Sequence, residues 1–201
     1  MRNPVIFLTA FLLAACVGNP PQKSEIAIRD LGELPAGTLA AAVPLATLEV
    51  RAAAWLDTPA QLYRLAYADA TQRQAYANSR WAATPAALLE RHLQRRFASE
   101  QAGGCRLGIA LDELEQRFAS PQSSRVVLEA RAALLPARAS GIAPLAQQTF
   151  RIEQAVPTPD ARGGVAATRA AADALAQDLS RWLGELARSR PALVQQCKEN
   201  Q

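Results

Sequence analysis

The sequence predicts an α+β domain: a mostly antiparallel sheet with two helices packed on one face. Two observations carry this reading. Two windows, 86–120 and 160–190, lack proline altogether, and each places apolar residues at helical spacing. Three later stretches, at 107–111, 126–134 and 148–156, alternate between the two sides of an extended chain. A helix with one apolar stripe needs a surface to cover, and an antiparallel sheet with one solvated side supplies it.

The elements follow in chain order. Ile26 and Ile28 alternate with polar neighbours and mark an early strand. Ala46, Leu48 and Val50 share one parity, which predicts a strand from Leu45 to Ala53. Trp55-Leu56-Asp57-Thr58-Pro59 reads as a loop, Gln61–Tyr67 as a second strand, and Tyr76 opens a third extended piece ending near Trp81. Thr84-Pro85 is an N-cap followed by proline at the first helical position. Leu88, Leu89, His92, Leu93, Arg96 and Phe97 then recur on a helix that Gly103-Gly104 is expected to stop. Leu107, Ile109 and Leu111 alternate, and the parity switches at Leu114 and Phe118, predicting a bulge near Asp112. Strands over Val126–Leu134 and Gln148–Val156 come next. The last helix begins after Pro159-Asp160, carries Val165, Ala172, Leu175, Leu179, Trp182, Leu183 and Leu186 on one stripe, and closes at Arg190-Pro191.

The N-terminus reads as targeting rather than fold. Arg2 precedes the apolar stretch Val5–Ala15, which is too short to cross a bilayer and of signal-peptide length. It ends Leu13-Ala14-Ala15-Cys16, which resembles the bacterial lipobox. That resemblance implies cleavage before Cys16 and acylation of Cys16, including by palmitate, with the acyl chains holding the protein to a membrane. Val17 follows where an aspartate would favour the inner membrane, so the expected location is the inner leaflet of the outer membrane, with the domain in the periplasm. The expected divisions are a signal peptide at 1–15, a lipidated N-terminus and tether at 16–40 with Gly18, Pro20, Pro21, Pro35 and Gly37, and the domain at 41–197.

Composition excludes more than it assigns. The chain has 201 residues, a net charge of +4 and an apolar fraction of 50%, but 44 of its residues are alanine. No apolar run after the N-terminus has membrane-spanning length, and no cluster of five basic residues supports nucleic-acid binding. His92 is the only histidine, and no Gly-x-Ser-x-Gly turn exists, so no hydrolytic triad is expected. Neither zinc-ligand spacing nor a phosphate loop occurs; Gly163-Gly164 reads as helix punctuation. Asp112, Glu113 and Glu115 read as a charged turn or strand edge rather than a catalytic pair. No enzyme activity, cofactor or metal is expected.

With Cys16 acylated, Cys105 and Cys197 remain; they either form a disulfide in an oxidising compartment or stay as two thiols. Trp55, Tyr63, Tyr67, Tyr76 and Trp81 lie between residues 55 and 81, and read as sheet core or as a contact surface for a partner or lipid.

Val50-Arg51, Trp55-Leu56-Asp57-Thr58-Pro59, Tyr63-Arg64-Leu65, Tyr76-Ala77-Asn78-Ser79-Arg80-Trp81, Pro85 and Leu88-Leu89-Glu90 resemble the ABC-type transport auxiliary lipoproteins, relatives of paraquat-inducible protein C. The resemblance is densest over 48–97. It implies an accessory subunit working with a permease, an ATPase and a mammalian-cell-entry (MCE) domain protein to move phospholipids or other hydrophobic molecules between membranes. It offers no catalytic residues. Tyr76, Asn78, Ser79, Arg80 and Trp81 are the candidate docking residues. A lipid carrier with a pocket beneath the alanine-rich last helix, and a purely structural envelope lipoprotein, are the alternatives.

Overall fold

A 16-residue strand, β5 (Cys105–Ser120), is the spine of the molecule. The computed structural model describes residues 25–33, 36–97, 104–136 and 143–199. Cys16 and the expected signal and early tether lie outside them. On one side β5 pairs along its length with antiparallel β6 (Ser123–Pro136), which pairs in turn with antiparallel β7 (Ala146–Ala155). Its other side is shared end to end. β2 (Leu45–Ala52) runs parallel to the first half of β5, and β3 (Ala60–Leu65) runs parallel to residues 116–118. Antiparallel β4 (Gln74–Trp81) and the three-residue β1 (Ala27–Arg29), parallel to β4, complete the seven strands.

The sheet is therefore mixed rather than mostly antiparallel. Alternation reports which side chains share a face but not which way a strand runs. The chain reaches β5 only after passing through α1 (Pro85–Arg96), and such a crossover lets β2 and β3 lie parallel to it. The expected bulge is present, with the β5–β6 register slipping between Leu111 and Glu113. Trp55 sits in a single 3-10 turn, Ala54–Leu56, rather than an open loop.

Among the described residues there are three α-helices, not two. α1 starts at Pro85, with the Thr84 hydroxyl accepting from Ala87 N, and ends at Arg96, before Gly103-Gly104. α2 (Ala161–Ser189) is capped by Asp160, whose carboxylate accepts from Gly163 N at 2.7 Å. Pro191 does not end the helical region: it opens α3 (Pro191–Glu199), a first-turn position where its missing N–H costs nothing.

The core lies between one sheet face and the helices. Leu107, Leu111, Leu128 and Leu134 from the sheet meet Leu175, Leu179 and Leu183 of α2, all fully buried. Alanines 167, 171, 172 and 176 bring α2 close to the strands. Gly163 and Gly164 belong to its first turn. A Cβ on Gly164 would lie 2.2 Å from Gln116 Oε1, so the pair permits close approach rather than punctuating the chain.

The free edge of β2 is covered by α1. Glu90 accepts a hydrogen bond from Val50 N at 2.8 Å, and Gln94 donates to Leu48 O at 3.0 Å, occupying groups that an exposed edge leaves open. The chain between β1 and β2 is also held. Leu31 and Val43 are core residues, Arg96 donates to Gly37 O, and Ser180 donates to Ala40 O.

Candidate docking surface

β4 holds the residues that the sequence offered for docking, and a bulge sorts them. β3 advances two residues from Ala60 to Leu62 while β4 advances five between their partners, Arg80 and Ala75. This slip puts Tyr76 and Ser79 on the same, helix-covered side. The Tyr76 hydroxyl donates to Gln116 Oε1 at 3.0 Å, and burial raises its pKa above the ordinary tyrosine range. Ser79 donates to Gln61 at 2.8 Å and accepts from Arg29, while Gln61 donates to the Ala161 carbonyl at the start of α2. Trp81 is buried in the core. These three side chains brace α2 against the sheet, and only Asn78 and Arg80 of the five are exposed.

The opposite sheet face carries charge. The bulge turns Glu113 and Glu115 outward, in mid-strand rather than at a turn or edge. Arg64 grips Glu115 through two nitrogens at 2.8 and 3.1 Å; Arg117 and Arg73 reach the same carboxylate at 2.6 and 3.0 Å. Arg73 and Arg117 also bind Glu113 Oε2, and the Arg73 guanidinium lies over the Trp55 ring, 3.4 Å from its centroid. Burial alone would raise the Glu115 pKa, but the Arg64 and Arg117 hydrogen bonds prevail and hold it below the usual glutamate range. Glu113 shifts upward, from burial first and the neighbouring Glu115 charge second. Its Oε1 is buried without a hydrogen-bond partner. Sequence reasoning missed Arg64 and Arg73 because they are distant from Glu115 in the chain. The only local signal was that Glu113, Glu115 and Arg117 share one parity.

Along the same face, pairs continue across the strands: Arg131 with Asp112, Arg151 with Glu129 and Glu153, and Arg125 with Glu153. Near the start of β5 this lattice opens into a trough of about 420 Å³. Gly108, Ala110 and Ala133 line it together with Arg51, Arg106, Arg131 and Glu49, the last paired with Arg51. Between α1, α2 and the sheet, by contrast, the apolar cavity beside Leu89, Leu128 and Ala172 measures about 10 Å³. No group of three potential metal ligands occurs among the described residues.

At the start of β5 the chain is cross-linked. Cys105 and Cys197 form a disulfide with their Cα atoms 5.0 Å apart, joining α3 to the sheet across 92 positions. Both residues are fully buried.

The sequence pattern of the ABC-type transport auxiliary lipoprotein component matches residues 32–180, which include every strand but β1 and most of α2. The chain belongs to that family. The transport auxiliary lipoproteins are membrane-anchored envelope proteins that serve ABC transport systems, and this chain is one of them. Its fold is shared with a Xanthomonas campestris protein of known crystal structure, with a TM-score of 0.62 at 20% identity over 83% of this chain and 98% of that one. The crystal structure of an uncharacterized protein aligns with a TM-score of 0.50 at 15% identity, covering 82% of this chain and 98% of that chain. No curated protein matches the chain. Several of the residues that carried the family resemblance do structural work in this auxiliary lipoprotein: Glu90 caps β2, Arg64 grips Glu115, and Trp81 fills the core.

Proposed function

We propose that this auxiliary lipoprotein is a non-catalytic docking subunit, anchored through acylated Cys16 in the inner leaflet of the outer membrane. In this reading it receives the MCE-domain protein of an ABC system whose permease and ATPase drive phospholipids or other hydrophobic molecules across the envelope. The contrast between interior and open face carries the choice of docking over carrying. A carrier needs room for an acyl chain, and the apolar cavity beside Leu89, Leu128 and Ala172 holds about 10 Å³. The open face instead offers a formed trough in which Arg106, without an ion pair among the described residues, suits a carboxylate-bearing segment of a partner. Of the five β4 candidates only Asn78 and Arg80 are exposed, and they stand at the other end of the sheet from the trough.

Crosslinking in intact cells, followed by purification of the full-length lipoprotein and mass spectrometry, tests this. The expected catch is an MCE-domain protein, with its yield reduced in Arg106→Glu. Recovering only cell-wall proteins while the transporter is present in the lysate would mean a structural lipoprotein instead.

A further inference from the structure

Four large apolar side chains are exposed among the described residues, and two of them, Ile26 at 41% and Ile28 at 65%, sit at the edge strand β1. They share one parity. Arg80 stands opposite Ile28 in the β1–β4 register and is itself exposed. Just past β1, a cleft of about 270 Å³ is lined by Asp30, Leu31 and Gly32 on one side and by Arg91 and Arg95 of α1 on the other. Arg80, Arg91 and Arg95 make no ion pair among the described residues; the acids nearby in the chain are Glu25, Asp30, Glu33 and Glu90, of which Asp30 caps Gly32 N and Glu90 accepts from Val50 N. This end of the molecule thus presents isoleucines bordered by three arginines that make no ion pair among the described residues.

The chain itself says what covers them. Cys16 is ten residues before Ile26, a reach of at most about 33 Å when fully extended. A domain of this size has a radius of gyration of roughly 16 Å, so such a tether is no longer than the domain is wide. If Cys16 is the anchor, a tether of this length keeps β1 nearer the bilayer than the far end of the sheet. We propose that the β1 edge is a lipid-contact surface: Ile26 and Ile28 enter the headgroup boundary, and Arg80, Arg91 and Arg95 meet anionic headgroups around them. The domain then sits edge-down, with its trough held away from the membrane. β1 has three residues, too short to template a partner strand, which favours a lipid occupant over a protein one.

This inference rests on the anchoring role of Cys16, and the experiment separates the two. The intact lipoprotein, carrying a benzophenone amino acid in place of Ile28, is reconstituted in vesicles of phosphatidylethanolamine and phosphatidylglycerol (3:1) and irradiated. A lipid adduct is expected at position 28 and none at Arg181 on α2. No adduct at 28, or in cells a protein adduct there in place of lipid, overturns the proposal. The chain from residue 16 carrying Cys16→Ser then gives the strength of the contact by flotation with the same vesicles. Ile28→Asp should lower its partition about tenfold and Arg80→Glu about fivefold, the latter effect fading in high salt. Unchanged partition in Ile28→Asp, with an unchanged circular dichroism spectrum, also overturns it; Ile26→Ser repeats the test with a milder change. The intact mass of the cellular protein reports acylation of Cys16 independently. A missing acyl mass defeats the anchor reading, while the vesicle results still decide the edge.

Discussion

On the side of the sheet facing α2, Leu107, Ile109, Leu128 and Ala130 are buried against apolar neighbours. On the other side of the same two strands, Gly108, Ala110, Glu129 and Arg131 line a trough or join a lattice of ion pairs. One backbone thus supports two surfaces with different energetics. Dispersion and the removal of apolar area from water hold the covered face, where every methylene counts. Fixed charges order the open face, and most of their interaction energy is offset by desolvation or screened by solvent. The lesson is that stability is concentrated on one face, which leaves the other free to vary its chemistry for a partner.

Substitutions ranked by expected cost probe this contrast. Leu179→Ala, in the fully buried stripe of α2, should cost about 3–5 kcal/mol by chemical denaturation. A cost near 1 kcal/mol would show that the covered face is looser than its packing implies. Glu115→Gln is next: it leaves three arginines around one remaining carboxylate and should cost about 3 kcal/mol. Glu113→Gln, whose Oε1 has no partner to lose, should cost less than half of that, and equal losses would break the assignment of Glu115 as the centre of the cluster.

A pH titration sharpens the comparison inside the covered face. His92 of α1 sits 3.0 Å from Asp173 of α2, and burial lowers its pKa despite the Asp173 charge. A histidine depressed on folding contributes stability that is full above its ordinary value of 6.5 and is lost as pH falls below it. The Tm should therefore fall between pH 7 and pH 5.5, before the carboxylates titrate, and His92→Gln should show a smaller fall. The smallest effect belongs to the exposed lattice. Arg151→Ala should change stability by no more than about 0.5 kcal/mol, and that change should vanish in high salt.

The two faces also differ in how far the sequence disclosed them. Strand parity identified the inward residues of β5, β6 and β7 and the bulge at Asp112, because burial imposes a period of two. The caps at Thr84 and Asp160 announced the helix starts. Strand direction was hidden, since Leu48 and Val50 alternate identically in a parallel or an antiparallel pair. So was α3: Arg190-Pro191 fits a helix end and a helix start equally well. The Glu115 cluster joins Arg117 of the same strand to Arg64 of β3 and Arg73 just before β4, which only the sheet order brings alongside. Tyr76 and Ser79 looked like a surface motif in sequence because the bulge that turns both inward has no marker in β4.

The short β1 strand has a mechanical consequence for a tethered protein. Any tension between membrane and domain enters through β1, whose three residue pairs with β4 are the first resistance it meets. Behind that seam, the Arg96 and Ser180 bonds to the connecting chain and then the full length of β2 against β5 take up the load. Under strain the molecule should yield first at a short sacrificial zipper and lengthen its leash, while the disulfide-bonded body stays folded.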